Sequence, residues 1–505
     1  MLFSEAIRGA HVLAQSGPDI DVTRVVYDSR RAGPGAVFLA MHGESVDGNN
    51  FVPVALERGA AAVVTDDAAV FKSMTVTNPQ LAVALCVHGR RTLAAIAANL
   101  LGHPERKLKI SGVTGTNGKT TTAFLLEAML EAAGRKTVLV GTIAYHLNGQ
   151  ELAAPHTTPE SSDLLALFVQ AAESGTTEAV MEVSSHALAQ GRVWGLAYDV
   201  AIFTNLTRDH LDFHGTMEAY SAAKRELFIG GTGAGNPRVA VLNIDDTTGR
   251  SLRDELLGGE TDVVTYGWDA GNFHAEDVEL TATGTRFCMV TPQGKVRIES
   301  RLAGRVNVWN ILAAAAAATA RGVALELIAT GVRDLASVPG RFEQVDCGQP
   351  FAVVVDYAHT DDALRNLTRL ARELVAPENG RVITLFGCGG DRDKTKRPLM
   401  AKAAAESSDL VVLTSDNPRS EDPLEILHDA EAGLAGTNAK YSVIEDRAAA
   451  IREAISHARP GDIVLLAGKG HEKTQTTRDG VHPFDDVAVA RAILGQMAGA
   501  ATKCN

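Results

Sequence analysis

The 505-residue sequence has few cysteines, and none of them are spaced as a CxxC pair. A disulfide framework or a structural zinc site is therefore not expected, and the pattern favours a reducing, cytoplasmic location. The first residues also lack a basic start followed by an apolar stretch, so we do not expect a secretory signal there. The five scattered cysteines are Cys86, Cys288, Cys347, Cys388 and Cys504.

An excess of basic residues and a long apolar run are also missing. Lys and Arg total 48 against 61 Asp and Glu, and this net charge of −13 argues against a nucleic-acid or anionic-membrane partner. Small anionic ligands remain possible, because local charge can hold them. The longest run of small apolar residues, Ala313–Ala318, is far shorter than the ~20 apolar residues of a membrane span. We interpret it as part of a tightly packed helix.

Short apolar runs alternate with amphipathic segments along most of the chain. The runs are rich in Val, Ile and Leu on consecutive positions, which is typical of parallel strands buried on both faces. This alternation predicts open α/β sheets with right-handed crossovers. The candidate strands are Leu108–Val113, Ala179–Val183, Val200–Thr204, Val239–Asn243, Ala352–Val355, Val382–Phe386, Leu410–Thr414 and Ile463–Ala467, with helices such as Thr120–Ala133 and Pro398–Ser407 between them.

Seven of these eight strands are followed by a polar segment: TGTNGKTT, SSH, NLTRDHLDFH, DYAHT, GCGGDRDKTKRP, SDNPRSED and GKGHE. Ligands of open α/β sheets bind beyond the carboxyl ends of the strands, so we expect two sheets whose edges face a shared cleft. The segment SVPGR looks like a hinge. We place domain boundaries at 107/108 and 338/339, which gives a small domain 1–107, a central domain 108–338 and a third domain 339–505.

One polar segment has the features of a phosphate-binding loop. Its glycines let backbone N–H groups approach phosphate oxygens, and the helix that follows adds a partial positive charge. Lys119 can reach the β- and γ-phosphates of a nucleotide, and the Thr120 hydroxyl can ligate Mg²⁺. The match is to GxxGKT and not to the full Walker pattern, because Val113 stands where that pattern has glycine. A helix-capping loop without function is the alternative.

Acids and histidines cluster after two other strands. Glu182 ends its strand beside Ser184, and His210 lies in the segment TRDHLD. Oxygen ligands with an occasional histidine beside a nucleotide indicate Mg²⁺. His210 and His214 are four residues apart, but there is no HExxH motif and no Cys/His set with zinc spacing. Lys224, by its residue type and place on a helix, is expected on a solvated face.

These motifs, in this order, resemble those of the Mur ligases of peptidoglycan synthesis, which are ATP-dependent amide ligases. The resemblance covers nearly the whole chain and further includes DSR at 28–30, HTTPE at 156–160, EVSSHAL at 182–188, NVWN at 307–310, PGRFE at 339–343 and DNPR at 416–419. It implies a UDP-binding N-terminal α/β domain, a central P-loop-type ATPase domain and a C-terminal Rossmann-like domain for the amino acid. One departure is Asp361, which follows DYAHT where the family commonly has proline.

The resemblance also implies roles for individual residues. The catalytic set would be Lys119, Glu182, His210 and Lys224. Mg²⁺ would be held by Thr120, Glu182, His210 and Lys224, the last carbamylated by CO₂ into a carboxylate-like anion that could ligate a second Mg²⁺. ATP would contact Gly115, Thr116, Asn117, Gly118, Lys119, Thr120, Thr121, Asn310 and Arg341. The UDP-muramoyl-dipeptide would contact Tyr27, Ser29, Glu44, Ser45, Val46, His156, Thr157, Thr158, Ser184, Gln190 and Arg192.

Within the family, the resemblance implies addition of meso-diaminopimelate to UDP-N-acetylmuramoyl-L-alanyl-D-glutamate through an acyl phosphate. Diaminopimelate differs from lysine by a second carboxylate at its far end, which a guanidinium such as Arg419 can grip with two parallel hydrogen bonds. Asp416 and Glu472 can pair with its ammonium groups. The implied set is Arg392, Asp416, Asn417, Pro418, Arg419, Gly468 and Glu472.

Other functions remain open at this stage. A lysine-adding or D-Ala-D-Ala-adding Mur ligase and a folylpolyglutamate synthase-like ligase are the nearest enzymes. A nucleotide-dependent switch without ligase chemistry and a non-catalytic scaffold belong to other classes. We further expect a monomer that takes the peptide nucleotide, the amino acid and ATP as its small-molecule ligands.

Overall fold

The computed structural model describes residues 1–43, 46–281, 284–375 and 379–503. The predicted α/β class is confirmed: parallel sheets dominate, and helices cover their faces. The alanine run lies in a long helix, and Ala313–Ala318 are all buried, as predicted. Among the described residues, no helix combines the length and apolar character needed to cross a bilayer.

The first sheet has five strands in the order β1-β5-β4-β3-β2. All neighbours pair in parallel except β1, which runs antiparallel to β5 at one edge. The sequence interpretation did not single out these strands. They are β1 Val12–Ser16, β2 Arg24–Val26, β3 Ala36–Ala40, β4 Ala62–Thr65 and β5 Ala82–Cys86, with helices α1 Phe3–Ala6, α2 Val52–Glu57, α3 Ala68–Thr77 and α4 Gly89–Leu101.

The second sheet has eight strands in the order β13-β12-β11-β6-β10-β7-β8-β9. The six from β13 to β7 are parallel, and β8 and β9 form an antiparallel hairpin at the edge that the sequence did not predict. The strands are β6 Lys109–Thr114, β7 Thr137–Val140, β8 Ala144–Leu147, β9 Gln150–Ala153, β10 Glu178–Glu182, β11 Tyr198–Phe203, β12 Val239–Asn243 and β13 Asp262–Tyr266. The first helices of this part are α5 Lys119–Ala132, α6 Ser161–Glu173, α7 Ser185–Gln190, α8 Leu211–His214, α9 Met217–Arg225 and α10 Thr247–Leu256.

A three-stranded antiparallel sheet follows, which the sequence also did not predict. Its strands are β14 His274–Thr281, β15 Gly284–Thr291 and β16 Gly294–Ser300, and helices α11 Arg305–Ala320 and α12 Leu325–Asp334 come after it. Apolar residues of this sheet, including Phe287 and Ile298, share one core with the helices and with the second sheet.

The last large sheet has six strands in the order β17-β18-β22-β19-β20-β21, parallel except for the short β17. Its strands are β17 Glu343–Gln344, β18 Ala352–Asp356, β19 Val382–Cys388, β20 Leu410–Ser415, β21 Lys440–Ile444 and β22 Ile463–Ala467. A hairpin, β23 Thr474–Thr477 and β24 Gly480–Pro483, follows. The helices are α13 Asp361–Val375, α14 Lys396–Ala405, α15 Pro423–Glu431, α16 Arg447–Ser456 and α17 Asp486–Lys503.

All eight predicted strands are confirmed, with bounds that agree within two residues. Val239–Asn243 and Ile463–Ala467 have the predicted bounds. These two strands are buried along their whole length. Strands of this kind are recognisable in a sequence as continuous apolar runs. The cysteines among the described residues, Cys86, Cys288, Cys347 and Cys388, are free thiols.

Candidate active site

A cleft of about 600 Å³ lies where the carboxyl ends of strands from the second and the last large sheet meet. Six of the seven polar segments predicted to converge contribute to its lining, which confirms the expected shared cleft. The phosphate-binding loop is the exception, because it lies beside the cleft. The predicted site residues that line it are His156, Thr157, Thr158, Ser184, Arg192, His210, Arg392, Asp416, Asn417, Arg419, Gly468 and Glu472.

The phosphate-binding loop connects β6 to α5 and is tightly constrained. Gly115 has φ +147° and Gly118 has φ +85°, conformations that residues with a side chain rarely adopt. A Cβ atom at Gly118 would lie 2.4 Å from Asn310 Oδ1 on α11. The Lys119 ammonium donates hydrogen bonds to the carbonyl oxygens of Gly115 at 3.0 Å and Thr116 at 2.9 Å. The loop thus folds around the lysine that the sequence assigned to phosphate.

The loop and the start of α5 also touch the last large sheet's part of the chain. Asn117 Nδ2 donates to Asp362 Oδ2 at 3.3 Å, at the start of α13. Arg341 Nη2 donates to Thr120 Oγ1 at 3.2 Å, and its guanidinium lies 4.8 Å from the ring centre of Tyr357. Since Tyr357 lines the cleft, the loop and the cleft are joined through Arg341.

Glu182 ends β10, next to β6 in the sheet, and its carboxylate is held by two threonines. Thr120 Oγ1 donates to Oε2 at 3.1 Å, and Thr142 donates from its backbone N–H at 2.8 Å and from its hydroxyl at 3.1 Å. The Thr142 hydroxyl also lies 3.0 Å from that of Thr157. Thr142 was missed because it follows β7, a strand of four residues that the sequence did not single out.

Lys224 is buried, with only 2% of its surface exposed, which corrects the expectation of a solvated face. Its ammonium donates to Gly115 O at 2.7 Å and lies 4.4 Å from the ring centre of Tyr220. Burial, together with the nearby Lys119 charge, holds the pKa of Lys224 well below its ordinary value. The sequence pattern of α9 could not reveal this burial, because the loop after β6, which is distant in sequence, covers this face of the helix.

The histidines gather on the side of the cleft formed by the second sheet. His210 precedes α8 with φ +53°, and its ring lies 4.8 Å from that of His186 and next to Asp209. Burial lowers the pKa of His210 to about 4, so its ring is neutral at pH 7. His214 Nε2 instead lies 2.9 Å from Ser185 Oγ. In the described part of the chain, no three His, Cys, Asp or Glu side chains are placed to hold a metal ion by themselves.

The residues assigned to the peptide nucleotide divide into two groups. Thr158 Oγ1 donates to Glu182 O at 2.8 Å, and Arg192 donates to Thr158 O at 3.1 Å while pairing with Glu160. This group, with His156, Thr157 and Ser184, lines the cleft.

The second group does not line the cleft. It consists of Tyr27, Ser29 and Val46 from the first sheet's part of the chain and Gln190 at the end of α7. The Tyr27 hydroxyl donates to Asp163 Oδ2 on α6 at 2.8 Å. The pKa of Tyr27 is raised, mainly by burial and secondly by this hydrogen bond. Glu44 and Ser45 lie outside the described residues.

The residues assigned to the amino acid, except Pro418, line the cleft from the last large sheet's part of the chain, and this part of the lining is called the amino-acid end. Arg419 has φ +54°, donates from its backbone N–H to Thr476 O at 3.0 Å and from its guanidinium to Gly390 O at 2.6 Å. Asn417 Nδ2 donates to Glu472 Oε2 at 2.8 Å. Pro418 is buried behind this surface and does not line it.

Several cleft residues were missed although their motifs were noted. They belong to types that the sequence does not distinguish from structural groups, and burial lowers the pKa of one of them, His359. Lys469, a buried lysine of the GKGHE segment, contacts the side chains of Asp416, Asn417 and Glu472 but does not itself line the cleft. The missed lining residues include Arg208, Asp209, Tyr357, His359, Asp393 and Lys396.

Three family models match the chain. They are described as the Mur ligase family catalytic domain over residues 21–99, the Mur ligase middle domain over 113–318 and the Mur ligase glutamate ligase domain over 340–470.

Curated relatives and a solved structure match nearly the full length. A UDP-N-acetylmuramoyl-L-alanyl-D-glutamate–2,6-diaminopimelate ligase of Solibacter usitatus is 52% identical over 485 residues, 95% of each chain. The ligase of that name from Geobacillus kaustophilus is 46% identical over 95% of this chain and 96% of its own. A solved structure of a ligase of that name has a TM-score of 0.66 and 33% identity, covering 94% of this chain and 95% of its own.

Proposed function

The chain belongs to the Mur ligase family, and from that premise we propose that it joins meso-diaminopimelate to UDP-N-acetylmuramoyl-L-alanyl-D-glutamate at the expense of ATP. The observation that carries the proposal is the composition of one cleft. Thr157, Ser184 and Arg192 line it from the second sheet's part of the chain, and Arg419 and Glu472 line it from the last large sheet's part. A peptide carboxylate and an incoming amine can therefore meet between them.

The chemistry explains why ATP is needed. A carboxylate does not condense with an amine at neutral pH, because hydroxide is a very poor leaving group. An oxygen of the D-glutamyl γ-carboxylate first attacks the γ-phosphorus of ATP, and the bond to ADP breaks. The neutral amine of diaminopimelate then attacks the acyl phosphate carbonyl. The tetrahedral intermediate collapses with loss of phosphate, and the nitrogen gives up a proton.

The phosphate-binding loop and its neighbours would hold ATP for the first step. Backbone N–H groups at the start of α5 face phosphate oxygens in such loops, and the helix N-terminus favours negative charge. The ammonium of Lys119, which donates hydrogen bonds to two loop carbonyl oxygens, would reach the phosphates. Arg341 and Asn310 contact the loop from two other elements and are proposed as further ATP contacts. Fixed cations of this kind stabilise the charge that develops during phosphoryl transfer.

Mg²⁺ fits the donors beside the loop. The Thr120 hydroxyl and the Glu182 carboxylate lie together, and Mg²⁺ in nucleotide sites takes a few such oxygens and completes its shell with water and phosphates. His210, whose ring is neutral, is proposed as an additional ligand. When bound, the ion would neutralise phosphate charge during transfer.

Lys224 is proposed to be carbamylated. Its lowered pKa favours the neutral amine, which is the form that adds to CO₂; the nitrogen then loses a proton and the product is an anion. That anion would lie against the phosphate-binding loop, at Gly115, as a second carboxylate-like metal ligand.

The amino-acid end of the cleft suits a diamino diacid. Arg392 and Arg419 supply two cations for its carboxylates, and Asp416 and Glu472 supply two anions for its ammonium groups. A lysine-adding ligase would have no use for a guanidinium at position 419, since the terminal ammonium of lysine would be repelled.

The proposal also includes a monomeric state, a cytoplasmic location and three domains, with the bounds 1–107, 108–338 and 339–505.

An isotope experiment tests the acyl phosphate. The γ-carboxylate of the peptide nucleotide is labelled with oxygen-18, and the phosphate released with ATP and meso-diaminopimelate is analysed by mass spectrometry. We expect one labelled oxygen in the phosphate, because the carboxylate oxygen leaves with it. Unlabelled phosphate from a reaction that forms the tripeptide would contradict the proposed route.

A further inference from the structure

Lys469 is a fully buried lysine directly beneath the amino-acid end of the cleft. Its side chain is 0% exposed. Its three contacts are with oxygens of residues that line the cleft, whereas Lys469 does not line it. The ammonium has three N–H donors and thus one cleft-lining oxygen for each. Its nitrogen lies 3.4 Å from Asp416 Oδ1, 3.3 Å from Asn417 Oδ1 and 3.2 Å from Glu472 Oε2.

These contacts join two loops that are not neighbours in the sheet. Asp416 and Asn417 follow β20, and Glu472 follows β22, with β19 between the two strands. The Asn417 amide donates to the same Glu472 oxygen that Lys469 contacts, at 2.8 Å. Lys469 therefore links the side chains of both loops across the intervening strand.

The backbone of both loops is fixed separately by another buried cation. Arg447 donates to Ser415 O at 3.3 Å and to Ala467 O at 3.0 Å, the last residues of β20 and β22. It pairs with Asp486 at 2.6 Å, and both side chains are fully buried. Because this clamp holds the strand ends, we expect the loss of the Lys469 charge to act mainly on the side chains of the site.

The charge of Lys469 suits the substrate of the site. Without it, the Asp416 and Glu472 carboxylates would repel each other, and one of them would turn away from the other. With it, one net negative charge remains among the three groups. That charge can take up one ammonium group of an incoming amino acid.

We propose that Lys469 is a positioning residue for the amino-acid substrate. It acts through Asp416, Asn417 and Glu472, which it holds in the arrangement that receives an ammonium group of the diamino diacid. The inference rests on the proposed function and assigns a residue to the same site. Under this proposal, Lys469 contributes to recognition of the amino acid and not to the earlier reaction with ATP.

The test compares Lys469→Met and Lys469→Gln with Lys473→Met, whose lysine is exposed and pairs with Asp485. We measure KM for meso-diaminopimelate, for ATP and for the peptide nucleotide. Acyl phosphate formed without amino acid is trapped by borohydride reduction. Loss of a charged hydrogen-bond partner predicts that KM for diaminopimelate rises about tenfold or more in both Lys469 variants. KM for ATP and the trapped acyl phosphate should stay as in the wild type, and Lys473→Met should change none of these.

Three results would overturn the inference. The first is an unchanged KM for diaminopimelate in the Lys469 variants, and the second is an equal rise in KM for ATP. The third is unfolding of both variants, since that would make Lys469 a support of the fold. A wild-type protein that ignores diaminopimelate would instead overturn the proposed function, so the two failures are distinguishable.

Discussion

At the level of single residues, the proposed recognition of the amino acid depends on what Arg419 contacts. Its backbone is held in a left-handed conformation and its guanidinium is anchored at Gly390, so the side chain is oriented before any ligand arrives. Preorganisation of this kind reduces the entropy lost on binding.

Arg419→Ala should therefore raise KM for meso-diaminopimelate by about 50-fold, the loss expected for a charged two-bond contact. KM for ATP should change little. Steady-state kinetics with each substrate varied in turn measures both. The control is Arg478→Ala, an exposed arginine of the neighbouring hairpin. An equal effect on both substrates would contradict the assignment.

The placement of candidate site residues could be predicted from the sequence where residue type and strand position coincide. Glu182 ends a buried strand, Asp416 and Arg419 follow one, and their types match the proposed ligand chemistry. Lys224 and Lys469 could not be predicted in their buried state, because residues distant in sequence cover them: Gly115 for the first, Asp416 and Asn417 for the second. No local pattern reports such coverage.

At the element scale, a buried arginine ties the loop after β20 to two helices. Arg397 on α14 is 1% exposed and donates to both Glu421 carboxylate oxygens, at 2.9 and 3.0 Å, and to Asp429 on α15. The hydrogen bonds from Arg397 lower the pKa of Glu421 to about 2, from an ordinary 4.5. This contribution to stability is present above the ordinary value and is lost as the pH falls towards 2.

Glu421→Gln should lower the free energy of unfolding by about 2 kcal/mol at pH 7. The difference from the wild type should shrink as the pH falls below about 4.5, because the carboxyl of the unfolded wild-type chain then takes up a proton while that of the folded chain stays ionised until about pH 2. Denaturant unfolding between pH 7 and pH 3 measures it, with the exposed Glu425→Gln as control. A difference that stays constant with pH would show that the ion pair does not carry the effect.

Burial made many of the strands predictable, but not all of them. The eight predicted strands appear in the sequence as apolar runs and are all present, whereas β3, β4 and β7 are buried along their whole length and were not singled out. The hairpin β8–β9 and the sheet β14–β16 were not predicted either, since their residues alternate between buried and exposed or are mostly exposed. Their pairing also depends on turns that the sequence interpretation did not weigh.

At the scale of the whole molecule, the cleft combines loops from two sheets. The carboxyl ends of the strands predicted that both sheets have binding edges. The contacts Asn117–Asp362 and Arg341–Thr120 show how the two edges face each other. The sequence could not give this arrangement, because it depends on packing between parts far apart in the chain. We expect closure of the cleft around the substrates to complete the site.

The most direct measurement is phosphate release with the peptide nucleotide, ATP and either meso-diaminopimelate or L-lysine. We expect release that depends on an amino acid, with kcat/KM for diaminopimelate at least about 100-fold above that for lysine, as expected for an unmatched charge in a polar site. Equal use of both amino acids, or release without either, would contradict the proposed function.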